Sequence, residues 1–356
     1  MRQKMEKKRA FVTGAFGSVG EWLVQDLVKL GYAVTCFDVD TEVSRKKEHK
    51  LRKVVKFTTI WGDLTDAQSI DEAIEKSNPN YIAHVAAIIP PISILRPTLA
   101  EKVNVGGTAN IVSAARKLAN LERLVLVSSY SVYGPCSPHL DRPKWTSQTP
   151  VNPQEEYAEH KVKAEAIVRE SGLNYCVVRL CAVFPIDNPP RSPATLKFSF
   201  ALPYDRREHA IDVRDAAYAV ARAVHVPGID GRTFVIGGGD GWYGTGGELT
   251  GQLMSSAGLK PFPREAYRTP APYIEESWFF ENWVDTTESQ AVLKYQRTSF
   301  PQFLKDRKKR MGLAAVILPL MAGSIFIKLI KESPYYGKPQ EPDIRPFAEA
   351  VHELLG

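Results

Sequence analysis

The chain has 356 residues, of which 44% are hydrophobic and 24% charged. That length and balance allow a sizeable core, in one large domain or two lobes, and exclude a disordered or fibrous protein. The formal net charge of +6 is modest, with no basic stripe interleaved with aromatics, so nucleic acid is not an expected partner.

Residues 9–12 read as a short buried strand feeding Thr13-Gly14-Ala15-Phe16-Gly17-Ser18-Val19-Gly20, a T-G-x-x-G-x-x-G loop. A helix follows over 21–30 and stops at Gly31, and a second strand over 33–37 ends at Asp38. Strand, Gly-rich turn, helix, strand and terminal acid form the whole context of a dinucleotide site. The loop lets backbone approach a pyrophosphate at the positive helix N-terminus. Asp38, 18 residues after Gly20, is placed to bond the adenosine ribose hydroxyls. Its charge would repel a 2′-phosphate, which favours NAD; Arg45 and Lys46 nearby keep NADP open. The basic run from Arg45 to Lys56 otherwise reads as a solvated face.

Strand and helix go on alternating. Residues 54–61 read as a strand ending in Gly62-Asp63-Leu64, with Asp63 placed to meet the adenine. A helix over 66–76 and an apolar strand over 81–87 follow, the strand closing on small residues that leave room for a cofactor. His84 within it reads as a hydrogen-bonded core residue. Residues 97–120 read as one long helix despite Gly106-Gly107, and 123–127 as a strand delivering Ser128-Ser129. Next, Asn152 reads as an N-cap, Pro153 as the first helical position and Glu155 as the third. Tyr157 and Lys161 then share one helix face, where a cation one turn away favours the phenolate. That helix runs to about 171, and a strand over 175–180 is the sixth. The implied architecture is α/β: a Rossmann-type, doubly wound parallel sheet with a smaller C-terminal substrate lobe.

Beyond it, 185–203 is Pro-rich and reads as loop, 209–226 as strand then Ala-rich helix, and 233–236 as a short strand. Gly237 to Gly241 reads as a flexible loop before a helix at about Glu248. The aromatics of 273–283 fit either an apolar substrate pocket or a small-lobe core. Residues 312–327, continuing to 330, are apolar all round, interrupted by Pro319 and preceded by the basic run Lys305 to Arg310. They are too short to span a bilayer, which leaves a buried helix, a dimer contact or a membrane-surface anchor. A final amphipathic helix carries Phe347, Val351 and Leu354. Four cysteines (36, 136, 176, 181) show no C-x-x-C spacing, so buried reduced thiols and no metal site are expected. The charged first nine residues run into a strand with no signal-peptide core. The expected location is cytoplasmic, with membrane association through 312–330 as an option.

In combination these motifs resemble the extended short-chain dehydrogenases/reductases, in the NAD-dependent epimerase/dehydratase branch. The resemblance covers about 9–305 and is strongest over 9–184. It rests on Thr13 to Gly20, Asp38, Gly62-Asp63-Leu64, His84 to Ala87, Asn104 to Asn110, Ser128 to Gly134, Tyr157-x-x-x-Lys161 and Arg179-Leu180. It implies Tyr157 as general acid/base, Lys161 on the nicotinamide ribose, and Ser129, rather than Ser128, polarising the substrate oxygen. Thr13, Gly14, Phe16, Gly17, Ser18, Val19, Gly20, Asp38, Asp63, Leu64, Ala86, Asn104, Tyr157 and Lys161 would hold the cofactor. Family dehydratases carry Asp-Glu where this chain has Tyr130-Ser131, which argues against water elimination. Sugar-nucleotide epimerases carry Asn where Ala182 stands, and a longer segment before Ile211. The expected function is an NAD-dependent oxidoreductase interconverting a secondary alcohol and ketone, its small-molecule substrate fairly apolar. The alternatives are a nucleotide-sugar epimerase and a non-catalytic NAD-binding regulator. The expected organisation is a cofactor domain over 1–184, a substrate lobe over 185–305 and an apolar tail over 306–356. Family members often form homodimers through helices such as 97–120 and 153–171.

Overall fold

Apolar strands joined by amphipathic helices are stable as a parallel sheet covered on both faces. The computed structural model describes residues 7–187 and 192–355 and shows that arrangement. In chain order its first half comprises β1 (Arg9–Thr13), α1 (Ser18–Lys29), β2 (Ala33–Asp38), α2 (Glu42–Arg52), β3 (Thr58–Trp61), α3 (Ala67–Ser77), β4 (Tyr81–His84), α4 (Ile92–Leu95), α5 (Pro97–Glu101), α6 (Gly107–Ala115), β5 (Arg123–Ser129), α7 (Glu156–Arg169) and β6 (Tyr175–Leu180). The second half comprises β7 (Ala182–Phe184), α8 (Pro193–Ala201), β8 (Arg207–Asp212), α9 (Val213–His225), β9 (Thr233–Ile236), β10 (Tyr243–Thr245), α10 (Gly246–Ser256), α11 (Thr287–Leu293), α12 (Phe300–Met311), α13 (Ala314–Ile330) and α14 (Phe347–Leu355).

Seven parallel strands run β3-β2-β1-β4-β5-β6-β9, and a small sheet runs β10-β8-β7. Side chains alternate across the main sheet. Ala10 and Val12 of β1 face α1 and α9, in a core with Leu23, Leu27 and Val220. Phe11 faces the other way, against Ile70 of α3, Ile111 of α6 and Val168 of α7. Strand order reverses between β1 and β4, so a crevice opens at their carboxyl ends.

Several boundaries differ from the sequence reading. The strands expected over 54–61 and 81–87 pair only over Thr58–Trp61 and Tyr81–His84, where neighbours are available. The basic run begins on α2, a helix the sequence reading did not assign. The expected helix 97–120 is broken: α5 and α6 flank a π-turn at Lys102–Gly106. Gly107 permits close packing, since a Cβ there would stand 2.9 Å from Leu64 Cβ. The helix expected from Pro153 starts three residues later, with Glu155 as its N-cap. Within the stretch read as loop, 188–191 lie outside the described residues and Pro193–Ala201 is helical, capped by Ser192. The Gly237 to Gly241 loop is packed, not open: Tyr295 Oη and Gln296 Nε2 both donate to Gly237 O. All four cysteines are buried and free.

Candidate active site

The crevice widens into a cavity of about 950 Å³ that extends from the α1 N-terminus to α14. At one end Gly14, Phe16, Gly17, Ser18, Val19 and Gly20 form the wall. Gly17 is the N-cap of α1 and carries no side chain to satisfy the first helical N–H groups, which leaves them for an anion. Asp38 lies beside them, accepting from Phe16 N at 2.8 Å and Val39 N at 2.9 Å. Burial raises its pKa, against the pull of those two N–H bonds. Arg45 and Lys46, which kept NADP open in the sequence, are engaged elsewhere: Arg45 forks onto Asp40 and Lys46 pairs with Glu42. Lys47 instead reaches the loop, donating to Phe16 O at 2.8 Å and pairing with Glu21. Asp63, Leu64 and Ala86 complete this wall.

These residues fit an adenine dinucleotide: an uncapped helix N-terminus for the diphosphate and an acid for the ribose. Two expected cofactor residues stand behind the wall. Thr13 is fully buried; its hydroxyl meets His84 Nδ1 at 2.7 Å and accepts from Val85 N and Ala86 N. Asn104 is also buried, exchanging bonds of 2.8 and 2.9 Å with the backbone of Ile88. Thr13 ties the end of β1 to the end of β4, and Asn104 ties the π-turn to the segment after β4, so both position the wall. His84 is a core residue, bonded to Thr13 and to Thr108, with its pKa brought down to about 3 by burial and by Lys161.

Ser129, Tyr157 and Lys161 converge at the middle of the cavity. Ser129 ends β5 and caps a short 3₁₀ turn, accepting from Ser131 N and from Ser131 Oγ at 2.9 Å. Its neighbour Ser128 is committed elsewhere, donating to Glu165 at 2.7 Å within a buried network that holds Arg179 and Tyr133. Lys161, one turn after Tyr157, donates to Val127 O at 2.9 Å and lies 5.7 Å from the Tyr157 ring centre. Burial brings Lys161 down to about 8, against the pull of the Glu165 carboxylate. Burial also pushes the Tyr157 phenol well up, helped by the charge of Glu155, while a hydrogen bond from Ser129 acts the other way.

Sequence reasoning missed most of the far wall. Phe198 of α8, Phe279 and Phe280 of a loop, and Phe347 and Val351 of α14 line the cavity together with Ile88, Ile94 and Leu99. The amphipathic pattern of α14 announced an apolar face but not what it would meet. The 273–283 aromatics divide: Phe279 and Phe280 reach the cavity, Trp278 is buried on Ala271 O and Tyr273 is exposed. Glu155, read as the third helical residue, both caps α7 and lines the cavity, and burial lifts it to about 7. Glu281 also lines it, bonded to Arg206, which also holds Glu208.

Among curated proteins, the chain is 34% identical over 161 residues to UDP-glucose 4-epimerase of Mycolicibacterium smegmatis, covering 44% of this chain and 49% of that protein. It is 32% identical over 133 residues to the bifunctional dihydroflavonol 4-reductase/flavanone 4-reductase of Pyrus communis, covering 35% and 36%. It is 32% identical over 127 residues to human sterol-4-alpha-carboxylate 3-dehydrogenase, decarboxylating, covering 36% and 30%. The chain thus spans half or less of the length of these relatives. Its fold is similar to dTDP-glucose 4,6-dehydratase DesIV of Streptomyces venezuelae (TM-score 0.69, 23% identity, 86% of this chain and 98% of that one). It is also similar to UDP-glucose 4-epimerase of Thermus thermophilus (TM-score 0.67, 22% identity, 85% and 98%). Residues 10–202, more than half of the sequence, match the NAD dependent epimerase/dehydratase family, and the chain belongs to that family.

Proposed function

We propose that the protein is an NAD-dependent oxidoreductase that interconverts an apolar secondary alcohol and its ketone. The observation that carries this reading is the setting of the Ser129–Tyr157–Lys161 group: it opens on one side to the dinucleotide wall and on the other to a compartment faced by Phe198, Phe279, Phe280 and Phe347. When bound, NAD supplies the hydride acceptor or donor. Tyr157 takes the hydroxyl proton in oxidation and returns it in reduction. The Ser129 hydroxyl bonds the same substrate oxygen and fixes its distance from the phenol. The Lys161 ammonium, charged below about pH 8, favours the phenolate that burial disfavours. Residues 1–184 would hold the cofactor, 185–305 would supply much of the substrate side, and the tail from 306 would close it through α14.

The dehydrogenase and reductase among the relatives support oxidation and reduction as the net reaction. Epimerisation is the second reading, favoured by the relative of that name. The apolar wall ranks it lower, because a sugar nucleotide would leave many polar groups unpaired there. The test is NADH formation with apolar secondary alcohols. Tyr157→Phe should lower kcat by about 10²–10⁴-fold with NAD affinity, measured by calorimetry, nearly unchanged. Stereochemical inversion of a sugar nucleotide without net NADH would replace this reading with the second.

A further inference from the structure

We propose that α13 docks in the plane of an anionic membrane surface. A buried helix is one expectation from the sequence of this segment, and the structure corrects it: Leu313 is 81% exposed, Leu320 84% and Val316 66%, with Ile317 and Ile327 also exposed. Positions 313, 316, 317, 320 and 327 follow the three- and four-residue helical spacing, so they form one outward apolar stripe. Beside the stripe the helix touches the protein. A Cβ on Gly258, at the end of α10, would stand 2.4 Å from Pro319 Cγ, and Ile330 is buried in a cluster with Leu196 and Phe200 of α8.

The occupant of the stripe follows from length, connection and charge. At 17 residues, α13 is about 26 Å long, and no helix among the described residues is long and apolar enough to cross a membrane. Both of its flanks return to the same body: Phe303 of α12 packs with Trp242, and after α13 Ser333 donates to Ala266 O. The helix therefore lies along the protein and offers the stripe sideways. Residues 300–331 hold seven basic side chains and one acidic one; Lys305, Lys308 and Lys309 are exposed on α12, just before the stripe in the chain, and Lys328 and Lys331 are exposed at the C-terminal end of α13. Anionic headgroups would neutralise them while the stripe enters the acyl boundary. A second copy of this face would bring the same positive charge against them, which disfavours a symmetric dimer. The proposal is independent of the catalytic reading.

The test mixes the full-length protein with phosphatidylcholine vesicles made with or without phosphatidylserine, followed by sedimentation. The protein should pellet with the anionic vesicles, much less with the neutral ones, and less as salt rises. The double change Ile317→Asp and Leu320→Asp should lower the vesicle-bound fraction by roughly tenfold or more. Thermal unfolding of that variant should match the parent, since both side chains are exposed. Failure to pellet with anionic vesicles, or equal binding to both kinds, would overturn the proposal. So would a dimer by light scattering that the double variant dissociates while vesicle binding is absent.

Discussion

Lys161, to which the proposed mechanism gives a role in turnover, is a buried cation held at the expense of stability. Burial brings its pKa from 10.5 to about 8. The unfolded chain therefore holds a proton between about pH 8 and 10.5 that the folded protein has released, so folding becomes more favourable as pH rises through that window. Below it, the buried charge costs roughly 3 kcal/mol, even with its bond to Val127 O. Lys161→Met should abolish turnover. Its stability relative to the parent should fall by ~2–3 kcal/mol from about pH 8 to 10.5, measured by denaturant unfolding at each pH. A difference that stays flat would show that Lys161 is not desolvated. The choice of Ser129 over Ser128 came from the resemblance to a known family, whereas the Tyr157–Lys161 pair was legible from spacing, because a helix repeats every 3.6 residues. The second role of Glu155 and the withdrawal of Thr13 and Asn104 behind the wall were not. The latter two depend on contacts across 16 residues or more.

At the scale of the element, the loop glycines answer to packing as well as to a ligand. Gly14 has φ +63°, and a Cβ on Gly20 would stand 2.1 Å from Gly14 O. Gly20→Ala should lower the stability of the cofactor-free protein by ~1–3 kcal/mol. Gly106 contrasts with it: a Cβ there meets nothing within 4 Å and its backbone is helical. Gly106→Ala should stabilise by roughly 0.5–1 kcal/mol. Urea unfolding of the two variants checks both signs, and an unaffected Gly20→Ala protein would mean that the loop relaxes freely. Most helices were read from periodicity, with α2 and α8 among those missed, and ends were read less well. Asn152, Pro153 and Glu155 all carry start signals, and the choice of Glu155 was made by its bonds to Tyr157 N and Ala158 N. The π-turn at Lys102–Gly106 had no signature beyond a pair of glycines.

For the whole molecule, the apolar compartment beside the Ser129–Tyr157–Lys161 group is assembled from α8, a loop at Phe279 and α14, which are far apart in sequence. Phe279→Ala should raise the KM of an apolar substrate by about tenfold, corresponding to the loss of one buried aromatic contact, with kcat within about twofold. Steady-state kinetics separates the two parameters, and an unchanged KM would place the substrate elsewhere. The sequence by itself determined the alternation of strand and helix, the dinucleotide turn and the pairing of Tyr157 with Lys161. Each of these is a local pattern, set by side-chain period and backbone freedom within a few residues. Only the tertiary structure decided which aromatics face the cavity and that α13 turns its apolar stripe outward. Those outcomes depend on which surfaces meet when distant segments pack, and apolarity alone states that a face must be covered without naming its partner.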